Sequence, residues 1–206
     1  MFTPPTLRSS LRIVARASLV ATLAAVGVAA SAYGAYASSP EPESLQCTLS
    51  GTASSDTLFG TNGDDVLCAF GGNDVIYGAG GNDIILAGAG DDQVFGQGGM
   101  DTIYGEGGYD VIYGGNGADN VYSGAQADQI YGNNGADTLY GQGGNDVIRG
   151  QAGDDYLVAG NGNNWLYGGN GFDTLHAANG YIDHVDGGAA YDTCYFDYFD
   201  SVVNCE

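Results

Sequence analysis

Positive charge is almost missing from this chain. Lysine does not occur, and arginine occurs only at Arg8, Arg12, Arg16 and Arg149. Twenty-five acids lie after Ala37, where Arg149 is the one basic side chain, so that part of the chain carries a charge near −24. A polyanion of this kind repels nucleic-acid phosphates and anionic membranes, which excludes both as partners. It also needs counter-cations to become compact. Histidine is limited to His176 and His184, and no Cys-x-x-Cys pair occurs, so a zinc centre is not expected.

What is present is a strict period. From residue 51 to residue 176 a unit of nine residues is written fourteen times without insertion or deletion. Gly78-Ala79-Gly80-Gly81-Asn82-Asp83-Ile84-Ile85-Leu86 is a clear copy. Position six reads Asp56, Asp65, Asp74, Asp83, Asp92, Asp101, Asp110, Asp119, Asp128, Asp137, Asp146, Asp155, Asn164 and Asp173. Position eight is aliphatic every time, from Leu58 to Leu175. A fixed period of this length decides the architecture. Acids recurring every nine residues with an aliphatic partner two places later do not describe a disordered charge run.

The first six positions are Gly-rich and suit a tight turn that needs positive φ. The last three favour a short strand whose middle side chain faces opposite to its neighbours. One such strand cannot bury an aliphatic side chain alone, but stacked copies can, which makes a solenoid. The turn gathers carboxylates and carbonyls, the mixture of oxygens that a hard cation takes.

At these residues the unit resembles the repeats-in-toxin (RTX) nonapeptide, Gly-Gly-x-Gly-x-Asp-x-aliphatic-x, a Ca²⁺-binding parallel β-helix repeat. The resemblance implies an all-β, right-handed parallel β-roll with two nonapeptides per coil, about seven regular coils in all, holding several Ca²⁺ ions. It places the turns alternately on two edges. One edge would carry Asp56, Asp74, Asp92, Asp110, Asp128, Asp146 and Asn164; the other would carry Asp65, Asp83, Asp101, Asp119, Asp137, Asp155 and Asp173. Ca²⁺ would sit between turns eighteen residues apart, with carbonyls of positions one to four completing each shell. Asn164 keeps an oxygen but loses a charge. Ser54 and Gln126 replace the glycine of position four.

Residues 1–37 have another composition. Three arginines precede a small apolar run from Ala17 to Ala32, and Ala35-Tyr36-Ala37 reads as a cleavage site, with Ala30-Ser31-Ala32 as the alternative. This is the anatomy of a secretory signal peptide. Without an Arg-Arg pair it points to general secretion rather than the twin-arginine route. Residues 38–50 form a lead-in with Pro40 and Pro42, and Leu49 is in phase to cap the first core layer. A secreted chain with four cysteines favours disulfides, and three pairings are possible. Cys47–Cys68 with Cys194–Cys205 is favoured, because each pair brackets one end of the solenoid; Cys68 then lies at an outward-facing position nine. Residues 177–206 slip in phase and read as degenerate repeats, with Asp183 and Asp192 at position six, followed by an aromatic cap.

Position nine carries an aromatic ladder. Phe59, Tyr77, Phe95, Tyr113, Tyr131 and Tyr167 fall on one face, and Tyr104, Tyr122 and Tyr140 on the other. Like residues on adjacent strands stabilise a sheet, and that is the preferred reading. The alternative is a surface for a carbohydrate or a cell-surface partner. Outside leader and repeats about forty-three residues remain, with no nucleophile placed beside a base. The expectation is a secreted, non-enzymatic Ca²⁺-binding protein with a structural or surface role, rather than an enzyme with a pocket of mutually placed groups.

Overall fold

The computed structural model describes residues 46–206. The expected leader, its two cleavage sites and the prolines of the lead-in lie outside the described residues.

Among the described residues, eighteen strands form two parallel sheets of nine. One sheet holds β1 (Leu49–Ser50), β3 (Val66–Cys68), β5 (Ile84–Ala89), β7 (Thr102–Gly107), β9 (Asn120–Tyr122), β11 (Thr138–Tyr140), β13 (Tyr156–Val158), β15 (Thr174–His176) and β17 (Thr193–Tyr195). The other holds β2 (Thr57–Phe59), β4 (Val75–Gly80), β6 (Gln93–Gly98), β8 (Val111–Asn116), β10 (Gln129–Asn134), β12 (Val147–Ala152), β14 (Trp165–Asn170), β16 (His184–Ala189) and β18 (Ser201–Val203). Odd and even strands segregate because each nonapeptide crosses from one sheet to the other. The register is therefore eighteen residues: Ile76 pairs with Val94, and Ile130 with Ile148. This is the two-repeat coil of a parallel β-solenoid.

Register follows from the core. Position eight of every regular unit points inward, and from Leu67 to Leu175 each is fully buried. The two files meet as one aliphatic cluster with Leu49 and Val202 packed at its ends. Full burial of one such side chain is worth about 1.5–3 kcal/mol, and a one-residue slip would turn the whole file outward.

The C-terminal segment continues the stack through β16, β17 and β18. A one-residue insertion between Ala177 and Asp183 stretches the register to nineteen, so that Leu166 pairs with Val185 and Leu175 with Cys194. A compensating deletion shortens the next step to seventeen, Val185 with Val202. Both favoured disulfides are present, Cys47–Cys68 and Cys194–Cys205. Cys68 lies at position nine, outside the aliphatic core cluster, and is nevertheless buried, bonded to Cys47.

Candidate metal centre

From Phe70 to Gly171 each turn is built by two left-handed residues, at positions two and four. Gly99, at position four, has φ +132°, and a Cβ there would lie 1.7 Å from the carbonyl oxygen of Gly81, one coil below. Successive position-four carbonyls thus point at the next position-four α-carbon, and the coil spacing leaves no room for a side chain. Gln126 nevertheless adopts the turn, at φ 77°, whereas Ser54 is not left-handed. Position two takes ordinary residues in the same region, among them Gln97, Glu106 and Gln142.

The turn places the position-six carboxylate inside the edge of the solenoid. Every one from Asp74 to Asp173 is buried, Asn164 included. Along each edge Oδ1 accepts a hydrogen bond from the main-chain N–H of the position-six residue one coil below. Asp110 N donates to Asp128 Oδ1 at 2.9 Å, and Asp101 N to Asp119 Oδ1 at 2.8 Å. The position-six residues are brought together as two separate ladders, one per edge, as expected from the alternation.

The second oxygen divides them. Oδ2 is buried without a hydrogen-bond partner on Asp74, Asp83, Asp92, Asp101, Asp110, Asp119, Asp128, Asp137, Asp146, Asp155 and Asp173, and also on Asp192. Asp56 and Asp65 differ. Their Oδ2 atoms accept from the main-chain N–H and the hydroxyl of Thr52 and Thr61 respectively, at 2.6–2.8 Å. These two turns close on themselves through a threonine at position two. Asn164 donates from Nδ2 to Gly162 O, and Asp183 Oδ2 accepts from Asn179 Nδ2.

A buried carboxylate oxygen without a partner is costly, and the usual response is neutralisation or pairing. Burial pushes Asp110 up to about 8, reinforced by the neighbouring Asp128, Asp92 and Asp91. Burial likewise raises Asp146 and Asp155 to about 7, and Asp83, Asp101 and Asp137 to about 6. Asp65 goes the other way, held down by its hydrogen bonds from Thr61.

The surroundings fit a hard cation. A Cβ built on Gly78 would stand 2.5 Å from Asp83 Oδ2 and 2.7 Å from Gly96 O. Gly114 shows the same cradle, 2.6 Å from Asp119 Oδ2 and 3.0 Å from Gly132 O. A charged and a neutral oxygen thus face one another across a position-one glycine, in a space that a side chain would fill. Among the described residues no three His, Cys, Asp or Glu side chains gather at one point. Carboxylates supplemented by main-chain carbonyls suit Ca²⁺ rather than a transition metal.

The ladder runs on through Asp183 and Asp192, the position-six residues of the degenerate repeats. The same pairing is preserved there, with Asn164 N donating to Asp183 Oδ1 and Asp173 N to Asp192 Oδ1. Two features were not legible in the sequence, and the first is a further rung at Asp200, whose Oδ1 accepts from Asp183 N. Asp200 was hidden because it follows Asp183 by seventeen residues rather than eighteen. A second, outer ladder runs through position five: Asp91 N donates to Asn73 Oδ1, Tyr109 N to Asp91 Oδ1 and Asn163 N to Asn145 Oδ1. Its signal is the recurring Asn-Asp or Asp-Asp pair.

The aromatic ladder is a set of face-to-face stacks. Phe59, Tyr77, Phe95, Tyr113 and Tyr131 follow at 4.8–5.1 Å with ring planes within 9°. Tyr104, Tyr122 and Tyr140 do the same on the other sheet. Arg149 takes one rung, its guanidinium between the rings of Tyr131 and Tyr167.

Compared with known families, the chain matches the RTX calcium-binding nonapeptide repeat over residues 48–69, 69–99, 95–130, 131–166 and 158–194. No curated protein matches it.

Proposed function

Because the chain belongs to the RTX calcium-binding nonapeptide repeat family, we propose that it is a secreted, non-enzymatic structural or surface protein whose fold is completed by Ca²⁺. The observation that carries this reading is the set of twelve carboxylate oxygens that, among the described residues, are buried without a hydrogen-bond partner. Asp74 to Asp155, Asp173 and Asp192 would hold the cations, together with carbonyls of the Gly-rich turns. Bound Ca²⁺ supplies the positive charge that the chain itself lacks. The protein's part is to bury each carboxylate, fix its Oδ1 through the coil below, and aim Oδ2 into the glycine cradle. Asp56 and Asp65 serve as end turns, closed by Thr52 and Thr61, rather than as sites of the same kind. Secretion is supported by the leader composition and by two disulfides, which belong to oxidising compartments.

Metal binding is then inseparable from folding. In chelator the mature chain is expected to lose most of its β signal in circular dichroism, and to regain it in millimolar Ca²⁺, the range of extracellular Ca²⁺ modules at roughly 10⁻⁴–10⁻³ M. A β spectrum indifferent to chelation would sink the proposal. The stacked rings support a structural role for the aromatic ladder, since the rings inside each stack, such as Tyr77, Phe95, Tyr113 and Tyr122, have both faces covered by their neighbours.

A further inference from the structure

One edge of the solenoid carries, along the outside of its turns, a groove of about 360 Å³ lined by no position-six carboxylate and no stacked ring. Tyr109 and Tyr181 wall it, and Gln126, Ala127, Asn145 and Asn161 contribute to its floor. The turns bearing the two tyrosines lie four coils apart, about 19 Å at a strand spacing of ~4.8 Å. We propose that this groove binds a neutral, extended oligosaccharide.

The groove exists because three local rules lapse together. Position five, which carries the outer ladder at Asn73 and Asp91, becomes Tyr109 and then Ala127. The loss of bulk at Ala127 opens the floor. The glycine of position four becomes Gln126 in the same turn. At the far end the insertion between Ala177 and Asp183 brings in Tyr181, with Tyr181 N held by Asn179 Oδ1 at 2.7 Å.

Polar groups along the floor are left with donors to spare. Gln126 Oε1 accepts from Gly108 N at 3.2 Å, which leaves its amino group free. Asn145 Oδ1 accepts from Asn163 N at 2.9 Å, which leaves Nδ2. The side chain of Asn161 and the main-chain N–H groups of Ala127 and Asn145 have no partner among the described residues. Tyr109 and Tyr181 are 60% and 47% exposed, and neither ring stacks on another among the described residues. Open ring faces beside a row of amides suit a ligand with apolar C–H faces and a rim of hydroxyls. The lining contains no charged side chain, on a molecule of formal charge −21. A cationic peptide would find no carboxylate within the groove, and an acidic polysaccharide would find no cationic side chain there.

The test is a titration of the full chain in Ca²⁺, followed by amide NMR shifts, with cellotetraose, mannotetraose and tetra-N-acetylchitotetraose as neutral probes and a tetragalacturonate as the acidic one. At least one neutral probe is expected to bind at roughly millimolar Kd or tighter, with the amide signals of Ala127 and Asn145 among those that shift. Tyr109→Ala and Tyr181→Ala are each expected to weaken it about tenfold or more, and Asn161→Ala to weaken it without touching any internal hydrogen bond. Circular dichroism in Ca²⁺ should be unchanged in all three. No binding by any neutral probe, binding of the acidic probe alone, or binding that survives both tyrosine variants with shifts elsewhere overturns the proposal. Loss of Ca²⁺-dependent folding would be read separately, from the dichroism of the unsubstituted chain.

Discussion

Gly107 and Gly108 are neighbours in one turn and tolerate a side chain very differently. A Cβ on Gly107 meets nothing within 4 Å, whereas one on Gly108, at φ +136°, would lie 2.0 Å from Gly90 O. The obstacle is main chain, so no rotamer change removes it. Gly108→Ala is expected to destabilise the Ca²⁺-bound protein by more than about 1 kcal/mol, the lower end of the cost of forcing an L-residue left-handed before any clash is added. Gly107→Ala should be nearly neutral. Thermal unfolding of the two variants in saturating Ca²⁺ checks this, and equal losses would mean that glycine content rather than turn geometry is what matters. The same contrast separates the acids. Asp110 Oδ2 has no partner while Asp56 Oδ2 is held by Thr52. Asp110→Ala is therefore expected to lower the measured Ca²⁺ stoichiometry and Asp56→Ala to leave it unchanged, as calorimetric titration would show.

Two successive turns on one edge share a carboxylate bridge, since Asp110 N donates to Asp128 Oδ1 across eighteen residues. Asp119, nine residues away, pairs instead with Asp101 and Asp137 on the opposite edge. Repeat arrays couple through nearest neighbours, and contacting pairs are the ones that fail to add. The losses in Ca²⁺ affinity from Asp110→Ala and Asp128→Ala should be non-additive by about 0.5–3 kcal/mol, while Asp110→Ala with Asp119→Ala should add. A larger coupling for the nine-residue pair would contradict the coil described above. At this scale the sequence was largely readable. Position eight determined the inward face, and position six the two ladders, because a strict period forces every copy into one environment. Less was readable where copies differ. Thr52 and Thr61 occupy position two like any other residue, and only the turn shows that their hydroxyls reach Oδ2. Gln97 and Glu106 hold φ 76° and 73° without glycine, since stacking against the coils above and below overrides local preference. The insertion before Asp183 left Asp183 and Asp192 readable at position six, but the seventeen-residue step to Asp200 hid a further rung, because a period read by counting fails where a residue is lost.

Over the whole molecule the buried acids set a conflict that protons and Ca²⁺ resolve in opposite senses. Burial is the first cause of the upward shifts, to about 8 at Asp110 and about 7 at Asp146 and Asp155. The shift is to about 6 at Asp83, Asp92, Asp101, Asp119, Asp128, Asp137 and Asp173, all from an ordinary value of 3.8. A group with a raised carboxyl pKa holds its proton more tightly in the fold than in the unfolded chain. The metal-free fold therefore has its full support below 3.8 and loses it as the pH rises through about 6 to 8. At neutral pH these neighbouring carboxylates repel one another with only Arg149 to offset them beyond the leader. In Ca²⁺-depleted buffer the β signal should grow as the pH is lowered from about 8 toward 4, across the window those values define. Ca²⁺ takes the ionised carboxylate, so its affinity should instead rise with pH, and binding near pH 6 should release protons. Calorimetry in buffers of different ionisation enthalpy counts those protons, and dichroism follows the fold across the same series. Acid loss of structure in the metal-free chain, or Ca²⁺ binding with no proton release, would mean that the ladder carboxylates are already ionised and solvated, and that the orphaned oxygens are not what Ca²⁺ completes.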